Sequence, residues 1–144
     1  MAMNEDHVVR KTIRIEADVD AVWEALTNPE ITKKYFFNCE AISEWKVGSR
    51  LHFQTRVDGN DTVVVTGIIT AIEPSSVLEH TCYMPEFEND PSNHTDVTYK
   101  FESENGATVV SVSQGPFEDE EKRNHAIFSW DTVLGGLKKL LEGG

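Results

Sequence analysis

Apolar and polar side chains alternate over residues 9–16, so the chain opens with a predicted β-strand whose isoleucines face inward. The spacing then changes to that of a short amphipathic helix with Asp18 as its N-cap. The apolar face of this helix consists of Val19, Val22, Trp23 and Leu26. The Asn-Pro pair at 28–29 ends it, and the proline begins a second short helix over residues 30–35. We therefore expect two short helices directly after the first strand.

Residues 40–114 keep the two-residue period and predict the rest of the sheet. Turn-forming residues at 58–61, 73–76 and 105–106 divide this region into hairpins. An acidic, proline-containing loop is expected over residues 85–93. The pattern predicts six or seven antiparallel strands in hairpin order.

The last part of the chain has the period of a long amphipathic helix. Acidic residues 118–121 complement the positive end of its dipole, lysines 138–139 complement the negative end, and Gly143 serves as a cap. A helix of up to about 25 residues is roughly 37 Å long, and only the concave face of the sheet is large enough to bury its apolar face. The glycines at 135–136 either leave room for a ligand or the sheet, or mark a kink or a frayed end. The predicted apolar stripe consists of Ile127, Trp130, Leu134, Leu137 and Leu141.

The composition narrows the class of protein without identifying a function. The chain has 144 residues, 13 Lys plus Arg against 25 Asp plus Glu, and a formal net charge of −12. This acidity disfavours nucleic acids and anionic membrane surfaces as partners, because both require a basic face. We expect one domain over residues 1–144. Since we find neither a secretory signal nor an apolar run of roughly 20 residues, we expect a cytoplasmic protein with reduced Cys39 and Cys82.

Five short motifs resemble a known superfamily. They are VWEALTNPE at 22–30, WKVGSR at 45–50, TGIITAIEP at 66–74, VTYKF at 97–101 and NGAT at 105–108. With the order of elements, they resemble the START-like (SRPBCC) superfamily and, more narrowly, bacterial proteins similar to the activator of the ATPase of the ninety-kilodalton heat-shock protein. The resemblance covers residues 8–142. It implies the α+β helix-grip fold, in which an antiparallel sheet wraps around a long C-terminal helix and encloses a cavity, and it suggests a chaperone as a partner.

A cavity of this kind is expected to be lined by inward-facing aromatic and apolar side chains. The alternative is that the same side chains fill the core, because large apolar residues are buried in any fold. The residues predicted to contact a ligand are Phe36, Phe37, Trp45, Phe53, His80, Cys82, Met84, Tyr99, Phe101, Trp130 and Leu134.

His80 has the most informative position among them. Alternation places it on the inward face of the predicted strand over residues 77–84. A titratable side chain on an apolar face is a candidate acid/base catalyst or a hydrogen-bonding anchor for a ligand. The alternative is a neutral core histidine whose hydrogen bonds are satisfied by Tyr99, Gln114 or the backbone.

His80 and Cys82 also form a candidate metal-ligand pair, which Cys39, His52 or His94 would have to complete. The spacings typical of zinc sites do not occur, so we predict no metal and no cofactor. Residues two apart on a strand have Cα atoms roughly 6–7 Å apart, which is long for a thiolate–imidazolium pair. The sequence also lacks a Gly-x-Ser-x-Gly motif and a glycine-rich phosphate loop. We therefore predict no catalytic residue beyond the candidate His80.

These observations favour a non-enzymatic protein that binds a small hydrophobic molecule. One alternative is an enzyme of the cyclase or hydrolase type with His80 as general acid or base. Another is a chaperone-associated stress protein, which rests on the resemblance alone. If the acidic loop over residues 85–93 borders the cavity mouth, it repels anions and favours an apolar or cationic ligand. The sequence identifies neither the ligand nor the oligomeric state.

Overall fold

Residues 7–143 are described by a computed structural model, which contains a seven-stranded antiparallel sheet and three α-helices. Neighbouring strands follow the order β1-β7-β6-β5-β4-β3-β2. The predicted helix-grip α+β fold is confirmed. The helices are α1 (Val19–Thr27), α2 (Pro29–Thr32) and α3 (Glu120–Gly143). The strands are β1 (Val9–Ile15), β2 (Glu40–Ser43), β3 (Arg50–Val57), β4 (Asn60–Glu73), β5 (Val77–Cys82), β6 (Thr95–Glu104) and β7 (Ala107–Gly115).

Asn28 joins the two short helices without an intervening loop. Its backbone N–H donates to the carbonyl four residues earlier at 3.0 Å, and its side-chain oxygen accepts a hydrogen bond from the backbone N–H of Glu30 at 2.9 Å. One residue therefore ends α1 and caps α2. The second helix ends at Thr32 rather than at residue 35, and the chain then takes a left-handed backbone at Phe37 (φ +52°) and Asn38 (φ +62°). A helix does not continue through such residues.

Two hairpins contain the predicted turn sequences. Asp58 and Gly59 connect β3 to β4 with φ values of +52° and +82°, and Asn105 and Gly106 connect β6 to β7 with +51° and +85°. Consecutive left-handed residues are typical of type I′ turns, whose twist matches that of the strands they connect.

The apolar face of α3 packs on the concave side of the sheet. The prediction is right for Trp130, Leu134 and Leu137, whereas Ile127 and Leu141 are only half-buried at the edge of this face. The buried face of α3 also includes Ala126 and Val133, two smaller residues that are not in the predicted apolar stripe. The buried residues of α3 are Ala126, Trp130, Val133, Leu134 and Leu137.

Polar contacts join the second half of α3 to β1. Lys138 Nζ donates to the backbone oxygen of Arg14 at 2.7 Å, and Lys11 Nζ lies 2.9 Å from Asp131 Oδ1. Exposed ion pairs contribute at most about 1 kcal/mol each. The buried apolar face therefore provides most of the stabilisation of α3 on the sheet.

Two glycines are required by close packing. A Cβ at Gly67 in β4 would lie 1.8 Å from the backbone oxygen of Thr81 in β5, near an irregularity in the register of these strands. A Cβ at Gly136 in α3 would lie 3.1 Å from Tyr35 Cβ, whereas nothing lies within 4 Å of a Cβ at Gly135. The helix runs unbroken through both glycines. Gly136 thus makes room for the segment after α2, rather than for a ligand or the sheet.

Gly67→Ala and Gly135→Ala are expected to change stability in opposite directions. The first forces β5 away from β4 and should lower the free energy of unfolding by about 3 kcal/mol or more. The second adds a better helix former in open space and should raise it by roughly 0.5–1 kcal/mol. Urea unfolding followed by circular dichroism measures both changes. Equal effects of the two substitutions would contradict the close approach at Gly67.

Candidate functional site

A cavity of about 890 Å³ lies between the sheet and the N-terminal half of α3. Strands β3 to β7 form one side of it, α3 forms the second, and the segment between α2 and β2 forms the third. The exposed part of its lining, which marks the opening, comes from Phe37, from the segment between β5 and β6 and from residues 116–125. The concave face of the sheet is therefore only partly covered by the helix.

Most of the predicted ligand-contacting residues are brought together on this cavity wall. Trp45, Phe101 and Leu134 are not part of it. The predicted residues that line the cavity are Phe36, Phe37, Phe53, His80, Cys82, Met84, Tyr99 and Trp130.

The three predicted residues outside the cavity pack elsewhere. Phe101 lies further along β6 and packs edge-on against Trp23 of α1, with ring centroids 5.5 Å apart. Leu134 lies one turn beyond Trp130, where α3 belongs to the continuous core. Trp45 lines a separate void of about 10 Å³. Alternation predicts which face a residue occupies, but not how far along the strand or helix the cavity extends.

A chain of hydrogen bonds connects α3 to the sheet across one side of the cavity, and our sequence analysis did not predict it. Trp130 Nε1 donates to Gln114 Oε1 at 2.8 Å, and Gln114 Nε2 donates to Thr95 Oγ1 at 2.9 Å. Thr95 Oγ1 donates to the backbone oxygen of Cys82 at 3.2 Å. A buried tryptophan N–H needs an acceptor, so the sequence could have predicted that the Trp130 indole forms a hydrogen bond. Which acceptor it meets depends on how α3 lies over β7.

His80 is buried in β5 and makes one hydrogen bond. Its Nδ1 lies 2.8 Å from the backbone oxygen of Thr81, an atom that only accepts, so Nδ1 carries the proton. Its Nε2 is therefore an acceptor, and it has no partner among residues 7–143. The alternative of a core histidine with satisfied hydrogen bonds is therefore confirmed for Nδ1, which bonds to the backbone. It is wrong for Gln114, which bonds to Trp130 instead.

Burial keeps the deep wall of the cavity uncharged at neutral pH. It lowers the pKa of His80 from 6.5 to about 4, although the bond to the Thr81 oxygen acts in the opposite direction. It raises the pKa of Cys82 to about 11 and the pKa of Tyr99 well above its ordinary value. A thiol that remains protonated is a poor nucleophile, and a histidine with this pKa is a weak base. The wall is therefore suited to binding neutral molecules.

The segment between β5 and β6 borders the opening, but not with its acidic residues. It contains two short 3₁₀ turns, Pro85–Phe87 and Pro91–Asn93. Glu88 is turned to the outer side of the sheet, where its Oε1 lies 3.1 Å from Arg50 Nη1. Glu86, Glu88 and Asp90 do not line the cavity, and the repulsion of anions by this loop stays a prediction. The residues that the loop presents to the opening are Phe87, Ser92 and Asn93.

Charged side chains reach the opening from the start of α3 instead. Glu118, Glu121 and Lys122 line the rim, and Lys122 Nζ lies 2.6 Å from Glu118 Oε1. This pairing offsets part of the negative charge. The rim is thus mixed in charge, whereas the deeper wall is apolar and neutral.

Over residues 7–143, no three His, Cys, Asp or Glu side chains come together as a metal site. In the same part of the chain, no helix is both long and apolar enough to cross a membrane.

Comparisons with known proteins agree with this architecture. Residues 16–142 match the family described as "Activator of Hsp90 ATPase homolog 1-like protein". ChR145 from Cytophaga hutchinsonii is 31% identical, with a TM-score of 0.79 and 94% of each chain covered. The Aha1 dimer from Colwellia psychrerythraea (22% identity, TM-score 0.73, 94% and 96% covered) and CalU16 from Micromonospora echinospora (21%, 0.73, 94% and 74% covered) share the fold. No curated protein matches the chain.

The buried His80 should make stability depend on pH. Between pH 6.5 and about 4 the unfolded chain binds a proton on this side chain and the folded chain does not, so the free energy of unfolding falls as the pH falls. The loss attributable to His80 should reach about 3 kcal/mol at pH 4, and it should vanish above pH 6.5. Urea unfolding of the native protein and of His80→Gln at several pH values isolates this contribution. Parallel pH profiles of the two proteins would contradict it.

Proposed function

We propose that this chain, which belongs to the Activator of Hsp90 ATPase homolog 1-like family and has the START-like (SRPBCC) fold, binds a small neutral molecule in the cavity between its sheet and α3. The observation that carries the proposal is the cavity of about 890 Å³ with its largely aromatic and aliphatic wall. Ligand sites in proteins range from about 300 to 1,000 Å³ and are lined mainly by apolar side chains.

The aromatic rings of the wall are arranged to contact a flat apolar molecule. Phe36 stacks on Phe53 with centroids 4.9 Å apart, and Trp130 meets both Phe36 and Tyr99 edge-on at 6.2 Å and 5.7 Å. The hydrogen bond from Trp130 to Gln114 holds the indole in this position. A ligand that lies against these rings gains dispersion contacts. The empty cavity lacks these contacts, in contrast to the close-packed core.

Charge selection depends on desolvation rather than on the acidic loop. The deep wall offers a charged ligand no counter-ion, so burial of either a cation or an anion is costly. This argument replaces the preference for apolar or cationic ligands that the sequence suggested. It favours a neutral ligand over both kinds of ion.

The pKa directions favour binding over catalysis. His80 is neutral at physiological pH and its Nε2 is buried, and the Cys82 thiol is protonated. The enzyme alternative required His80 to exchange protons near neutral pH. An imidazole with a pKa of about 4 serves better as a fixed hydrogen-bond acceptor.

The family match favours a second candidate that is compatible with the first. The family is named after an activator of the Hsp90 ATPase, and a fold neighbour is titled an Aha1 dimer. If this chain acts on such a chaperone, adding it should stimulate the chaperone ATPase. Unchanged ATPase activity at high concentrations of this protein would dismiss that candidate.

A large side chain placed inside the cavity should weaken ligand binding. Ser129 on α3 lines the cavity, so Ser129→Trp places a large ring inside it, whereas Thr132→Trp places the same ring on the exposed side of the helix. We expect the native protein and Thr132→Trp to bind the neutral fluorophore N-phenyl-1-naphthylamine with equal affinity. Ser129→Trp should bind it about tenfold more weakly or worse, which corresponds to about 1.4 kcal/mol. Fluorescence titration gives the three dissociation constants.

The matched pair makes the result decisive. Equal binding by both variants would show that the fluorophore sits elsewhere on the surface. Absence of binding to the native protein, together with no rise in its melting temperature, would contradict the proposed function.

A further inference from the structure

One polar atom in the core stands apart from all others in the described part of the chain. His80 Nε2 is the buried side-chain nitrogen or oxygen without a hydrogen-bond partner among residues 7–143. Most buried polar atoms are paired, because an unpaired one loses its bonds to water without replacement. His80 lines the large cavity, so a donor group of a ligand bound there would supply the missing hydrogen bond to its covered Nε2.

The protonation of the His80 ring decides whether the partner of Nε2 is a hydrogen-bond donor or an acceptor. His80 pairs with Ile69 of β4 and Val97 of β6, so its backbone is held from both sides near the middle of the sheet. Its Nδ1 proton is engaged by the Thr81 oxygen at 2.8 Å. The remaining nitrogen therefore has a lone pair and no proton, and it requires a donor.

The side chains around His80 keep its imidazole neutral. Its ring lies 6.2 Å from the ring of Phe53 and 6.3 Å from that of Tyr99, measured between centroids. Burial lowers the pKa of the imidazole to about 4, so it remains neutral at physiological pH. A neutral imidazole with a fixed tautomer is a directional acceptor.

Four rings separate the large cavity from the small void of about 10 Å³, because they line both. These are Phe36, Phe53, His80 and Tyr99. His80 thus belongs to the partition at the inner end of the cavity. Phe36 lies in the turn after α2, whereas Phe53, His80 and Tyr99 belong to strands of the sheet.

We propose that the ligand of the cavity is a neutral aromatic or alicyclic molecule with one hydroxyl or N–H group, which donates a hydrogen bond to Nε2 of His80. This proposal rests on the proposed function and narrows it to one chemical class. Phenols, indoles and cyclic alcohols satisfy the acceptor. Ethers, ketones and carboxylates present only lone pairs to it, and an ammonium group carries its charge into an apolar wall.

Two probes of nearly the same shape test the proposal. 1-Naphthol has the donor, and 1-methoxynaphthalene replaces its proton with a methyl group. We expect the native protein to bind 1-naphthol about tenfold more tightly, in line with one buried hydrogen bond of roughly 1–1.5 kcal/mol. His80→Phe keeps a ring and removes the acceptor, so the preference should disappear. Thr132→Trp alters the exposed side of α3 and leaves the acceptor in place, so the preference should remain.

A measurement on the native protein does not depend on the folding of any variant. Nitrogen-15 NMR of the imidazole should show an unprotonated Nε2 in the free protein. Addition of 1-naphthol should shift this resonance, and 1-methoxynaphthalene should shift it much less.

The outcomes separate this proposal from the proposed function. If both probes bind with equal affinity, the cavity binds ligands but the assignment of the donor is overturned. The assignment is also overturned if His80→Phe still prefers 1-naphthol. The assignment of the donor is also overturned if 1-naphthol does not shift the Nε2 resonance. That result is expected when a water molecule in the small void donates to Nε2. If neither probe binds, both proposals fail.

Discussion

The long helix α3 lies on the concave face of a seven-stranded sheet, and it is too narrow to cover all of it. A helix with its side chains is about 10–12 Å wide, whereas seven strands spaced by about 4.8 Å span roughly 29 Å. The second half of α3 packs near β1, where Lys138 and Lys11 join it to the strand. Between the first half of α3, strands β3 to β7 and the segment after α2, part of the sheet face stays uncovered, and the space of about 890 Å³ is the consequence.

Three polar side chains of the cavity wall are joined by hydrogen bonds between α3 and the sheet. The indole N–H of Trp130 on α3 points into the interior, where Gln114 of β7 accepts its hydrogen bond. Thr95 then completes the chain of bonds to the carbonyl of Cys82. His80 is outside this chain, and its Nε2 has no hydrogen-bond partner among residues 7–143.

Much of the site was predictable because side-chain direction is periodic. The two-residue period places Phe53, His80 and Tyr99 on the inner face of the sheet, and the helical period places Trp130 opposite them. The same periods cannot separate Tyr99 from Phe101, since both face inward and only one reaches the cavity. The acidic loop shows the same limit: its composition is plain in the sequence, but the pairing of Glu88 with Arg50 on the outer side depends on the folded arrangement.

The sequence by itself determined the order of elements, the hairpin turns, the inward faces and the class of fold, because these follow from local backbone preferences and from the burial of apolar side chains. Only the tertiary structure decided where α3 lies on the sheet, which side chains border the remaining space, which nitrogen of His80 carries the proton, and that Gly136 accommodates Tyr35. These properties depend on distances between segments that are far apart in the chain. No pattern within a single segment contains that information.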